Sequence, residues 1–251
     1  MKEEKPEFYS PPASISLTLL MYFGAQFVAG VLVSIIPAIR GWSIAQTNDW
    51  LQNNVFGTFA FLLIIQITTI VLVRTFLKLR DKGFGFLGLN KPNLKHVVSA
   101  LGGYGVYFVL YLVGIVLAKA FIPSLDLEKE QELGFSTSTS GWPLLVVFIS
   151  LVILPPLIEE IVARGFLYSG LRTKLTFGVS AIITSLLFAA AHLNGARDGL
   201  LWVAAIDTFI LSMVLCYLRE KTGSLWPPIG VHMLKNGVAF VVLFNIVSYI
   251  R

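Results

Sequence analysis

Seven long apolar stretches, at about residues 14–39, 54–77, 97–121, 142–163, 179–196, 199–218 and 227–250, dominate the chain. Each approaches the ~20 residues that an α-helix needs to cross the hydrocarbon core of a bilayer. Backbone inside lipid must satisfy its own hydrogen bonds, which only helices and closed barrels do. Continuous runs of this length belong to helices, so the expected fold is all-α, a polytopic membrane bundle of seven to eight transmembrane helices. Composition agrees. Of 251 residues, 56% are hydrophobic and 13% charged, where a soluble domain carries about 25% charged residues.

The charged N-terminus, Met1-Lys2-Glu3-Glu4-Lys5-Pro6, precedes an apolar run longer than a secretory signal core. That run lacks the small-residue cleavage site of such signals, so a retained first span is expected. Four regions follow: a tail over 1–13, three N-terminal spans over 14–121, an aqueous loop over 122–141 and a helical core over 142–250. The loop carries Asp126, Glu128, Glu130 and Glu132 and a Ser/Thr run. Trp42 and Trp50 in the linker 41–53 suit a membrane interface, and residues 83–89 are expected to lie on the membrane surface. Gly24 and Gly30 are of a kind tolerated in membrane helices. Gly102, Gly103 and Gly105 would let a neighbouring helix approach closely.

The formal net charge is +5, but the basic residues fall between apolar runs, which is a pattern of membrane orientation, and no nucleic-acid partner is expected. With the N-terminus in the cytoplasm, the loops on that side collect twelve lysines and arginines against five on the other. The positive-inside rule therefore places the N-terminus inside and, for seven spans, the C-terminus outside. The single cysteine, Cys216, lies in an apolar run without an intrachain partner and is not expected to be a nucleophile.

Against this background the stretch Pro155-Pro156-Leu157-Ile158-Glu159-Glu160-Ile161-Val162-Ala163-Arg164 is anomalous. An ionisable side chain at membrane depth costs at least ~2.5–3.5 kcal/mol, and such residues are by default functional candidates. Glu160 and Arg164 share a helix face at i,i+4 with the acid N-terminal, the better order for an ion pair. Glu159 is offset by ~100° around the helix and needs another partner. Further polar residues recur in later spans: His192, one turn after Phe188; and His232 with Asn236, again four apart. Pro227 suits a helix start, with Ser224 or Thr222 as its cap. His96, beside Lys95, reads as an ordinary boundary residue. Asp207 is an intramembrane acid with structural pairing favoured, and Lys235 is either its partner or a snorkelling side chain. Asn194, Arg197 and Asp198 read as a turn.

This set is suited to hydrolysis, with an active site inside the bundle. Glu159 with His192 would orient and deprotonate a water; His232 and Asn236 would donate to the developing oxyanion. One such donor is worth ~10²–10³ in turnover. The His-Glu-x-x-His signature of soluble zinc proteases is absent. No cofactor is expected, but a metal set of Glu159 or Glu160 with His192 and His232 is chemically open, with zinc as the alternative. The bland reading is that these groups only pin helices together.

Glu159-Glu160-x-x-x-Arg164, Phe188-x-x-x-His192 and His232-x-x-x-Asn236, in that order on successive apolar helices, resemble the CPBP family, the CAAX proteases and bacteriocin-processing enzymes also called Abi. The resemblance extends to Gly165-Phe166-Leu167 and to Ser224-Leu225-Trp226-Pro227-Pro228 and covers about residues 140–240. It implies a helical intramembrane endopeptidase acting on a membrane-associated or lipidated peptide or protein. Glu159 would be the base, His192 its partner, His232 and Asn236 the oxyanion donors, and Glu160 and Arg164 supports. The family includes members described as zinc enzymes and members described as metal-free; the Glu160–Arg164 pair, which leaves one free carboxylate, favours the second. Two rival functions are a non-catalytic scaffold or immunity-type protein, and a small transporter relaying protons through Glu159 and Asp207.

The span limits raise a problem of depth. A helix over 142–163 and another from 179 leave Glu159 and His192 ~15 Å apart across a ~30 Å core. Either the helix bearing Glu159 enters later than 142, or the segment 165–180 stays embedded. Pro155-Pro156 predicts a kink or break just before the motif.

Overall fold

The computed structural model describes residues 8–129, 134–193 and 199–244. Among them lie eight helices: α1 (Pro11–Arg40), α2 (Ile44–Asn53), α3 (Val55–Lys78), α4 (Leu94–Phe121), α5 (Trp142–Leu171), α6 (Phe177–Ala191), α7 (Trp202–Thr222) and α8 (Trp226–Leu243). Five of these, α1, α3, α4, α5 and α7, are long and apolar enough to cross a membrane. The protein is an integral, multi-pass membrane protein. The expected tail up to residue 7, Glu130, Glu132, the turn at Asn194, Arg197 and Asp198, and the last span beyond 244 lie outside the described residues.

The helix boundaries have local causes. Pro11 and Pro12 open α1, where a missing N–H is harmless, and Gly41 ends it in the left-handed conformation at φ 63°. The linker 41–53 is more than a linker, because Ser43 and Gln46 form a capping box that starts α2. The Ser-x-x-Gln signal for it was in the sequence. Asn93 and His96 make the same reciprocal cap at α4, consistent with His96 as a boundary residue. At α8, Pro227 occupies the first turn and the Trp226 N–H donates to Ser224 Oγ at 3.2 Å.

Helix α5 is the hub. It packs against α1, α3, α6, α7 and α8, and like α7 it is more buried inside the protein than α1, α3 and α4. The 3-10 turn Phe84–Leu87 braces one of its ends: Leu87 is buried beside Gly165 and Leu225, and the Leu225 N–H donates to the Gly88 carbonyl at 3.0 Å. Helices α4, α7 and α8 form a tight trio. A Cβ on Gly103 would stand 2.7 Å from Leu218, and one on Gly230 would stand 2.8 Å from Ala100. Gly102 and Gly105 face open space instead, whereas a Cβ on Gly114, further along α4, would stand 2.5 Å from Ile210 of α7, so Gly103 and Gly114 are the α4 glycines that permit close helix approach.

The largest departure from expectation is the length of α5. It starts at Trp142 as anticipated but runs to Leu171, past the anticipated end at 163. It does not break at Pro155-Pro156; it passes through two π-helical stretches, Ile149–Ile153 and Ile161–Leu167. Extra-residue turns of this kind recur at functional sites.

Candidate active site

The Pro-Pro pair shapes the site before any charged group does. Neither Pro155 nor Pro156 has an N–H to offer the Leu151 carbonyl, in α or in π register. Asn236 of α8 takes that acceptor instead, its Nδ2 donating to Leu151 O at 2.9 Å. The prolines thus create, within a hydrophobic helix, a carbonyl that only another helix can satisfy.

One π-stretch further along, Glu160 and Arg164 are both fully buried and joined at 2.8 Å, Nη1 to Oε1. This is the anticipated pair. The same Oε1 also accepts from His232 Nδ1 at 2.9 Å. The Arg164 guanidinium carbon sits 4.4 Å from the centroid of the Phe188 ring, a cation–π contact favoured in a desolvated site. Phe188 in turn meets the His232 ring edge-on at 5.9 Å and the His192 ring at 4.7 Å. A single aromatic ring therefore contacts the arginine and both histidines.

Glu159 points away from this buried pair, as the one-residue offset requires. Its side chain is 35% exposed and its Oε2 lies 3.8 Å from His232 Nε2. That exceeds a direct hydrogen bond, and at such spacing one small bridging oxygen can be held by both groups. His232 thus straddles the two glutamates, Nδ1 on one and Nε2 toward the other. His192 closes α6: its Nδ1 is 2.7 Å from the Phe188 carbonyl. A carbonyl only accepts, so Nδ1 carries the proton and Nε2 presents a lone pair. Glu159, His232 and Lys235 all lie within electrostatic range of this imidazole.

The depth problem disappears with the corrected α5. Glu159 is twelve residues before Leu171, and His192 directly follows the 15-residue α6 that climbs back from the same end. At 1.5 Å per residue these are climbs of ~18 and ~22 Å, so the two side chains sit at similar depth. Of the two resolutions anticipated, a later start than 142 does not occur; the segment after 165 stays helical to Leu171 and then turns over 172–176 into α6.

All six residues singled out, Glu159, Glu160, Arg164, His192, His232 and Asn236, converge on the α5–α6–α8 junction. What the sequence did not reveal was His232 as the bridge between the carboxylates, since the partners are 72 positions apart. Asp207 and Lys235 pair at 3.1 Å, and Asp207 also accepts from the Tyr107 hydroxyl of α4. Among the described residues no three His, Cys, Asp or Glu side chains group as a metal-ligand set. Cys216 is buried in α7.

Residues 141–238 match the family described as type II CAAX prenyl endopeptidase Rce1-like. The chain is 24% identical over 233 residues to the Bacillus subtilis protein named "Putative membrane peptidase YdiL", covering 91% of this chain and 87% of that one. It is 29% identical over 142 residues to an Escherichia coli protein named "Uncharacterized 24.3 kDa protein", covering 55% and 64%. No solved structure matches. The match to that family covers residues 141–238, and this segment contains every residue of the site.

Proposed function

We propose that the protein is an intramembrane endopeptidase that hydrolyses a peptide bond of a membrane-associated or lipidated substrate with a glutamate-activated water. The observation that carries this reading is the division of labour between adjacent carboxylates. Glu160 is buried and committed to Arg164 and His232, while Glu159 is part-exposed and faces His232 Nε2 at 3.8 Å. A helix-pinning role needs the first arrangement and has no use for the second.

In this mechanism a water donates one hydrogen bond to the Glu159 carboxylate and one to the Nε2 lone pair of His192. Glu159 takes the proton as the oxygen attacks the scissile carbonyl. The resulting oxyanion is met by His232, acting through Nε2–H while Nδ1–H stays on Glu160, and by the second Nδ2 hydrogen of Asn236. Collapse of the tetrahedral intermediate expels the amine, which recovers the proton from Glu159. The donors cost no reorganisation, because Glu160 and the Leu151 carbonyl already hold them. Arg164 and His232 both engage Oε1 of Glu160, which leaves Glu159 as the accessible carboxylate.

The test is a comparison of membrane peptidomes from cells carrying wild type, Glu159→Ala and His192→Ala. Cleavage products present with wild type are expected to be lost in both variants, with both proteins folded in detergent. Full activity of both variants on a verified substrate would refute the mechanism, and full rescue of a deletion phenotype by Glu159→Ala would point to a scaffold. Metal analysis of active, purified protein decides the zinc alternative. Substrate-independent solute uptake in proteoliposomes would identify a transporter.

A further inference from the structure

Outside the site, one cluster of ionisable groups inside the bundle has no part in the proposed chemistry. Lys235 Nζ of α8 is 3.1 Å from Asp207 Oδ2 of α7, with side chains 24% and 15% exposed. The other carboxylate oxygen of Asp207 accepts from the Tyr107 hydroxyl of α4. Tyr107 itself stands in a ladder of rings with Tyr104 at 5.9 Å and Tyr111 at 6.1 Å.

The sequence position of Lys235 gives the cluster its meaning. It lies between His232 and Asn236, both of which bind α5. Helix α8 is therefore held by polar contacts on two flanks, toward α5 through His232 and Asn236 and toward α7 and α4 through Lys235. The remaining contacts of α8 with α4 and α7 are apolar, at Gly230 against Ala100 and Val231 in the cluster with Leu211, Val214 and Leu215. Between membrane helices apolar contact has little driving force of its own, so polar contacts and close packing decide which faces meet.

We infer that Tyr107, Asp207 and Lys235 form a positioning cluster that fixes the rotation of α8 and thereby holds His232 and Asn236 at the glutamates. None of the three touches the reacting atoms. The inference rests on the peptidase reading for its kinetic consequence but not for its structural one, and the experiment separates the two. In a Cys216→Ala background, Val152→Cys and Gly237→Cys are introduced, since a Cβ at 237 lies 3.7 Å from the Val152 side chain. The rate of disulfide formation then reports the seating of α8 on α5 without reference to activity.

Asp207→Asn and Lys235→Met are each expected to slow that cross-link. Without the added cysteines, they are expected to lower kcat on a verified substrate by about 10²-fold, the scale of a ~1 Å misplacement, with KM changed less than about threefold. Tyr107→Phe should have a smaller effect in the same direction. The exchange Asp207→Lys with Lys235→Asp should recover most of both signals. Wild-type cross-linking and kcat in the single variants would overturn the inference. A kcat loss that merely tracks the unfolded fraction in thermal melts, with no recovery on exchange, would reduce the cluster to general stability and also overturn it. If Glu159→Ala keeps its turnover, the peptidase reading fails and the cross-link alone decides the positioning claim.

Discussion

At the scale of single residues, two neighbouring glutamates take unlike roles because one helical step separates buried from accessible. Glu160 has no exposed surface and lies beside a guanidinium that is equally buried. Removing one partner of such a pair leaves a charge uncompensated, at a cost of ~3–5 kcal/mol. Arg164→Leu is therefore expected to lower the thermal unfolding temperature sharply in detergent, and Glu160→Gln to do so less, since its amide can still accept from Arg164. Glu159→Ala is expected to melt like wild type, because its side chain is 35% exposed and its nearest ion-pair partner is 3.8 Å away. Equal melting losses at 159 and 160 would contradict this division. The i,i+4 spacing of Glu160 and Arg164 made their pairing legible in the sequence, whereas the Phe188 ring against Arg164 was not legible, since facing between distant helices leaves no local pattern.

At the scale of elements, α5 bends its hydrogen-bond ladder around two prolines and borrows an amide from α8. Asn236→Leu strands the Leu151 carbonyl, which should cost ~1–3 kcal/mol. Pro155→Ala supplies a backbone N–H to the same carbonyl, so in that background Asn236→Leu should cost less. A double-mutant cycle by chemical or thermal unfolding reads this coupling, and strict additivity would contradict it. The α4–α8 contact offers a second measurement. Gly230→Leu must displace Ala100, which a Cβ alone would meet at 2.8 Å, and overpacking of this kind costs ~1–3 kcal/mol. Gly105→Leu faces open space and should be neutral in the same melts. The Pro-Pro pair predicted an interruption, but it could not reveal that the helix would continue through π turns, because that outcome depends on an acceptor being satisfied from outside the segment.

At the scale of the whole molecule, the loop at 79–93 and the described residues of the loop at 122–141 stand at opposite ends of α4, whose 28 residues extend ~42 Å. The distribution of basic residues predicts that the first faces the cytoplasm. Single cysteines at Lys91→Cys and Ser138→Cys, both exposed positions, should react with a membrane-impermeant maleimide from opposite sides, Ser138→Cys alone in intact cells. The native Cys216 is fully buried and contributes no background; labelling of Lys91→Cys alone in intact cells would invert the orientation. The division between sequence and tertiary structure follows from the range of the forces involved. Apolar run length determined that the chain is a helical membrane bundle, because satisfying the backbone in lipid is a local requirement. Residue spacing likewise located the anomalous glutamates, histidines and asparagine. Only the assembled helices decided which carboxylate is spent on holding shape, that His232 stands between the two, and that Lys235 answers Asp207, because each of those depends on rotation and depth between segments that the sequence places far apart.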